Sequence, residues 1–203
     1  MNNDKFVLIS YYLKRLYERG LTTCYGGNIS IRDGDSYLIS ETSIDKAIIN
    51  EKNISRMSFS GSCLNGILPS SEYKMHSSVY KEREDISAII HAHPPYATAY
   101  ALSGQSLDSR ISSETYRNLG IIYTAKYAQP GSDALAEIVG QAVKTHNSII
   151  MSNHGVIVCA NNVGQAYYMI ELIENLAQMT YITKLIGEGK QITEQELKLL
   201  GGI

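Results

Sequence analysis

The stretch "NISIRDGDSYLIS", residues 28–40, limits the fold more than any other part of the chain. Ile29 and Ile31 alternate with polar residues, "RDGD" carries a turn signal, and Tyr37-Leu38-Ile39 resume the apolar run. Two short strands joined by so few residues pair antiparallel, because a parallel return needs a crossover of a dozen residues or more. Strict strand-helix-strand alternation is broken at this point.

The remaining elements follow from spacing and punctuation. Residues 4–19 place Phe6, Leu8, Ile9, Tyr12, Leu13 and Leu16 at helical spacing, with Asp4 as cap and Gly20 as stop. A short strand is expected near residues 56–59, and a helix from "LPSSE" with a serine as N-cap. The apolar run Ala88-Ile89-Ile90 leads a strand that Pro94 and Pro95 must end, and a short helix follows the prolines. Residues 120–125 read as strand, and residues 131–146 as a helix capped by Ser132 or Asp133. Two strand pieces flank a tight Asn153-His154-Gly155 turn. A long helix from Val163 to Ile186 and a short one from Thr193 finish the chain. Without a repeat or a linker, this describes one α/β domain over residues 1–203 with a mixed or antiparallel sheet.

Composition excludes several functions. A formal net charge of −2 offers no basic footprint for nucleic acid. The run "KERED" (81–85) mixes signs and suits a solvated helix end. Three cysteines, far apart and without a C-x-x-C pair, argue against a disulfide framework and suit a reducing compartment. The N-terminal residues have no secretory pattern, and no apolar run approaches the roughly 20 residues of a membrane span. A soluble cytoplasmic protein is expected.

Chemistry gathers at element ends. Strand side chains alternate faces, so His91 and His93 of "HAHPPY" point the same way at a strand's carboxyl end. They suit one metal ion, or a hydrogen-bonded strand rim. His154 of "SNHGV" again sits where a strand breaks; alone it reads as structural, but with the pair it would complete a three-histidine site of the catalytic zinc kind. In "LPSSE", Ser70 and Ser71 are expected in the first turn of a helix with Glu72 just inside it. That arrangement is plain capping or an anion site, and Glu72 is free to cap or to reach a metal. "YGGNIS" and "ISETSID" add small polar loops on either side of the hairpin. His76, four residues after Glu72, shares its helical face and reads as a core or surface residue, or as support for Glu72.

Taken in order, "GGNIS", "ISETS", "LPSSE", "HAHPPY" and "NHG" resemble the class II aldolase and adducin family over nearly the whole chain. The resemblance implies a three-layer α/β/α domain with a largely antiparallel sheet, assembled as a homotetramer with active sites at subunit interfaces. It carries Zn2+ ligation onto His91, His93 and His154. Glu72 matches the family's glutamate that serves as fourth ligand and then as acid/base once substrate displaces it. Gly27, Asn28, Thr42, Ser43, Ser70 and Ser71 match the phosphate pocket. The implied reaction is reversible cleavage of a ketose 1-phosphate, of the L-fuculose 1-phosphate kind, to dihydroxyacetone phosphate and an aldehyde through a metal-stabilised enediolate.

One departure stands out. Where the aldolase pattern donates a tyrosine across the subunit boundary, ungapped alignment places Ser112, with Glu114 and Tyr116 beside it as candidate acids. A glutamate in this region resembles the family's methylthioribulose-1-phosphate dehydratases instead. The 4-epimerases of the family typically carry aspartate in place of Glu72, and its adducin-like modules need no metal ligands.

Overall fold

A computed structural model describes residues 5–187 and 189–199. Asp4, the expected cap of the first helix, lies outside the described residues. Seven strands form one open sheet: β1 (Asn28–Asp33), β2 (Ser36–Ser40), β3 (Ile54–Ser58), β4 (Ala88–Ala92), β5 (Tyr123–Ala125), β6 (Ser148–Met151) and β7 (Gly155–Ala160). Their order is β3-β2-β1-β4-β7-β6-β5. Every neighbouring pair is antiparallel except β5 with β6, so the sheet is mixed and largely antiparallel, as expected. The hairpin forms with Asp33 opposite Ser36, a two-residue turn that Gly34 enters at φ 61°.

Among the described residues there are seven α-helices: α1 (Lys5–Glu18), α2 (Tyr73–Glu82), α3 (Pro95–Ser103), α4 (Ser113–Leu119), α5 (Asp133–Ala142), α6 (Val163–Ile186) and α7 (Glu194–Leu199). Strand alternation divides the core in two. Ile29, Ile31, Leu38, Ile90, Val156 and Val158 pack with α1, α3 and α6 on one face. Tyr37, Ile39, Ile89, Ile149, Ile157 and Cys159 pack with α2 and α5 on the other. Ile89 and Ile90 are both fully buried on opposite faces, and each burial stabilises the layers by about 1.5–3 kcal/mol.

Two local expectations change, and one helix appears where none was expected. The strand expected over residues 120–125 is confined to Tyr123–Ala125. Helix α4 had no clear apolar period and is held by Thr115, whose hydroxyl donates to the Ser109 carbonyl at 2.6 Å. The helix after "LPSSE" starts later than expected, at Tyr73, with Glu72 in the N-cap position making no capping bond through its side chain. Ser70 and Ser71 therefore precede the helix instead of forming its first turn. Ser70 N donates to Ser40 O at 2.9 Å, which ties this segment to the end of β2, and the Glu72 side chain is used elsewhere. Among the described residues no helix is long and apolar enough to cross a membrane.

Candidate active site

Four chain segments meet at the carboxyl end of β4. His91 lies on the sheet face that carries α2, and Asn28 of β1 pairs directly with it in the ladder. His93 follows as β4 ends, its N–H donating to Leu21 O at 3.1 Å. His154 sits in the turn between β6 and β7, closed by its own N–H donating to Met151 O at 3.1 Å, with Asn153 at φ 56°. Candidate ligand atoms of His91, His93 and His154 all lie within 4.8 Å of one another. Glu72, at the start of α2, points its carboxylate into the same group: Oε2 stands 3.0 Å from His91 Nε2, and Oε1 3.2 Å from His154 Nε2.

Glycines make this approach possible. A Cβ on Gly155 would stand 2.6 Å from Ala92 O and 2.7 Å from His93 Cδ2. One on Gly27, at φ +66°, would stand 2.8 Å from His91 O. Gly155→Ala is therefore expected to cost about 1–3 kcal/mol of stability and to weaken metal retention. Thermal unfolding and metal content after dialysis check this; wild-type values in both would show that the turn has slack.

The donor set fits a cation. His91 Nδ1 donates to Val156 O at 2.9 Å, which leaves Nε2 as the lone-pair nitrogen and holds the ring as a ligating imidazole is usually held. His91 Nε2, His154 Nδ1 and Glu72 Oε1 are buried without a hydrogen-bond partner, although buried polar atoms are nearly always paired. The 3.0 Å approach of Glu72 Oε2 to His91 Nε2 thus sets a carboxylate beside a ring nitrogen without hydrogen-bond geometry. Burial works to raise the Glu72 carboxyl, but His91 and His154 beside it win and hold it well below the usual carboxylate range. Burial likewise opposes a charge on His91, and the Glu72 carboxylate overrides it and raises His91. Burial, with the potential of His91 and His154, pushes His93 down to about 3, so it is neutral as a ligand must be.

Behind Glu72 runs a buried chain of hydrogen bonds. Asn28 Nδ2 donates to Glu72 Oε2 at 3.0 Å, and Asn28 Oδ1 accepts from His76 Nε2 at 2.6 Å. His76 Nδ1 must then accept from Ser30 Oγ at 2.7 Å, and Ser30 Oγ in turn accepts from Tyr80 at 2.9 Å. Burial pushes His76 down to about 3, so it stays neutral and its tautomer is set by these partners. His76 is thus the support for Glu72 that its helical spacing suggested, acting through Asn28. Asn28, expected at the phosphate, has its side chain turned to Glu72 and His76.

Glu72, His93 and His154 floor a cavity of about 200 Å³ whose walls include Gly26, Gly27, Thr42, Ser43, Ser70 and Ser71, with His91 just behind Glu72. Ten of the expected site residues thus gather in one place. The sequence reading passed over Lys46, which also lines this cavity, because "SIDKAI" looks like any charged turn. Glu114 and Tyr116 do not line it within one chain. Glu114 accepts from the Tyr168 hydroxyl at 2.8 Å on the surface of α4. Tyr116 lines a larger cavity of about 860 Å³ against α7, where the charged Asp108 and Arg110 pair with each other. That cavity is the larger, but among the described residues the group that could hold a metal and the orphaned buried atoms beside it lie at the smaller one.

Comparison with known proteins agrees. Residues 7–181 match the Class II Aldolase and Adducin N-terminal domain. The L-fuculose phosphate aldolase of Methanococcus maripaludis is 33% identical over 188 residues, covering 93% of this chain and 100% of the relative. The 5-deoxy-D-ribulose 1-phosphate aldolase of Bacillus thuringiensis is 33% identical over 192 residues, covering 93% and 90%. A solved L-fuculose 1-phosphate aldolase superposes with a TM-score of 0.91 at 32% identity, covering 98% of this chain and 95% of that one. With its fold, its three-histidine group and these relatives, the chain belongs to the class II aldolase and adducin family and is an enzyme of its aldolase branch.

Proposed function

We propose that this chain is a zinc-dependent aldolase that reversibly cleaves a ketose 1-phosphate into dihydroxyacetone phosphate and an aldehyde. One observation carries the proposal: Glu72, His93 and His154 line a cavity walled by small hydroxyl and glycine residues, and Glu72 Oε1, His154 Nδ1 and, just behind them, His91 Nε2 are buried without a hydrogen-bond partner. His91, His93 and His154 would hold Zn2+, with Glu72 as fourth ligand. Bound there, the metal would supply Lewis-acid stabilisation for the negative charge left when the carbon–carbon bond breaks.

The chain's own residues do the rest. Glu72 moves the proton at the carbon that is released: its carboxyl delivers a proton to that carbon in cleavage, and its carboxylate removes one in condensation. The Asn28 amide donates to Oε2, which keeps the carboxylate beside the reacting centre when substrate takes its place as ligand. Gly27, Thr42, Ser43, Ser70 and Ser71 bind the phosphate, remote binding that positions the reacting bond. A second acid or base must meet the hydroxyl that becomes the aldehyde. Glu114 and Tyr116 are the candidates, supplied by a neighbouring subunit because neither lines the cavity of its own chain. The proposal therefore includes a cytoplasmic homotetramer of one-domain subunits with its sites at the interfaces.

The serine at 112 and the exposed carboxylate of Glu114 favour one second reading, a dehydratase of the methylthioribulose 1-phosphate kind. A product assay separates the two. Zinc-loaded protein is incubated with L-fuculose 1-phosphate, L-rhamnulose 1-phosphate, ribulose 1-phosphates, 5-deoxypentulose 1-phosphate and methylthioribulose 1-phosphate, and products are followed by mass spectrometry. Release of dihydroxyacetone phosphate is expected, and the fastest substrate identifies the aldehyde. Loss of one water without cleavage would make the enzyme a dehydratase and move the central role to Glu114.

A further inference from the structure

Lys46 has no part in the chemistry above, yet it is only 1% exposed. It closes the turn that begins at Thr42. Ser43 holds φ at 54°, a conformation that L-residues seldom adopt, and the Lys46 N–H donates to Cys24 O at 2.8 Å. The chain thereby turns a lysine inward beside Thr42, Ser43, Ser70 and Ser71. Its ammonium has three donors, and the Ile44 carbonyl at 3.2 Å is the hydrogen-bond acceptor it meets. No ion pair among the described residues includes it. Glu41 lines the same cavity but accepts from Asn53 Nδ2 at 2.8 Å. Burial lowers the Lys46 pKa, with Asp45 and Cys24 opposing the shift weakly. A buried ammonium without a counter-charge is a cost to the fold, and such groups are usually paired or bound to something.

The rest of the proposed phosphate wall is neutral: Gly27, Thr42, Ser43, Ser70 and Ser71. A phosphate monoester brings close to two negative charges, and neutral donors alone leave that charge uncompensated in a poorly solvated cavity. We propose that Lys46 is the cation of this pocket, turning its Nζ from the Ile44 carbonyl to a phosphate oxygen and selecting phosphorylated over unphosphorylated sugars. This rests on the phosphate reading of the cavity. It makes Lys46 a binding residue whose burial is a cost to the fold that phosphate offsets.

The test is thermal unfolding of the full chain, without added metal, across a titration of inorganic phosphate. Wild type is expected to gain stability with phosphate. Lys46→Met, of similar volume, is expected to melt higher than wild type without phosphate and to bind it about tenfold to a hundredfold more weakly. Equal phosphate affinity in both proteins would overturn the role of Lys46 and leave the pocket standing. Phosphate that stabilises neither protein would overturn the pocket reading, and Lys46 with it. Should the variant not fold, the Lys46 ε-carbon resonance of wild type, labelled with 13C-lysine, answers the same question. It is expected to move on phosphate addition, and a stationary signal in protein that phosphate does stabilise would overturn the assignment.

Discussion

Replacing His93 by alanine is expected to strip the protein of zinc and to cut dihydroxyacetone phosphate release by roughly a thousandfold or more, since a metal supplies several kcal/mol of charge stabilisation and each ~1.4 kcal/mol is tenfold. His93 is the cleanest of the three histidines to remove. His91 is fully buried and spends Nδ1 on the Val156 carbonyl, so its loss would disturb β4 and β7 as well. His93 lies at the strand's end on the cavity wall and is held neutral there. Its removal should leave the melting temperature of metal-free protein nearly unchanged while metal content falls. The check is metal analysis after dialysis together with the product assay. A His93→Ala protein that kept both zinc and turnover would remove this residue from the ligand set.

The second large effect is expected at Glu72. Glu72→Gln keeps the shape and a hydrogen-bond partner for Asn28 but abolishes the carboxylate. Turnover should fall by about a hundredfold to ten thousandfold, the usual worth of a positioned acid/base. Zinc should be retained by the three histidines, and KM should change far less than kcat. That pattern separates proton transfer from metal loss, since the His93 variant loses both. Full turnover in Glu72→Gln would end the assignment of proton transfer to this residue. The partnership with Asn28 sharpens the comparison. Asn28 Oδ1 is committed to His76, so its Nδ2 must face position 72 whichever side chain stands there.

The lines of the site visible in the sequence were the local ones. Period-two alternation placed His91 and His93 on one face, and two prolines told where that face ended. The glycine in "NHG" marked a tight turn, and the hairpin at 33–36 announced a sheet that is largely antiparallel. Less visible were features that depend on contacts between distant segments. The start of α2 slipped to Tyr73 because Ser70 is tied to β2 and the Glu72 side chain is drawn to the histidines, which no capping rule foresees. Helix α4 was missed because its seven residues bury only Thr115 and Leu119. Lys46 belonged to no motif, since nothing in the hexapeptide "SIDKAI" reveals that its backbone will fold it inward.

What the sequence determined by itself was therefore which residues could serve and which face each would take, because side-chain direction and turn chemistry are set within a few residues. What only the tertiary structure decided was who meets whom. Asn28 reaches Glu72 across 44 residues, and His91 reaches Val156 across 65. Those meetings follow from β1 pairing with β4, from β4 pairing with β7, and from α2 lying over the face they share. Pairing of that range is settled by burying two apolar layers at once, an energy spread over the whole core and written in no single motif.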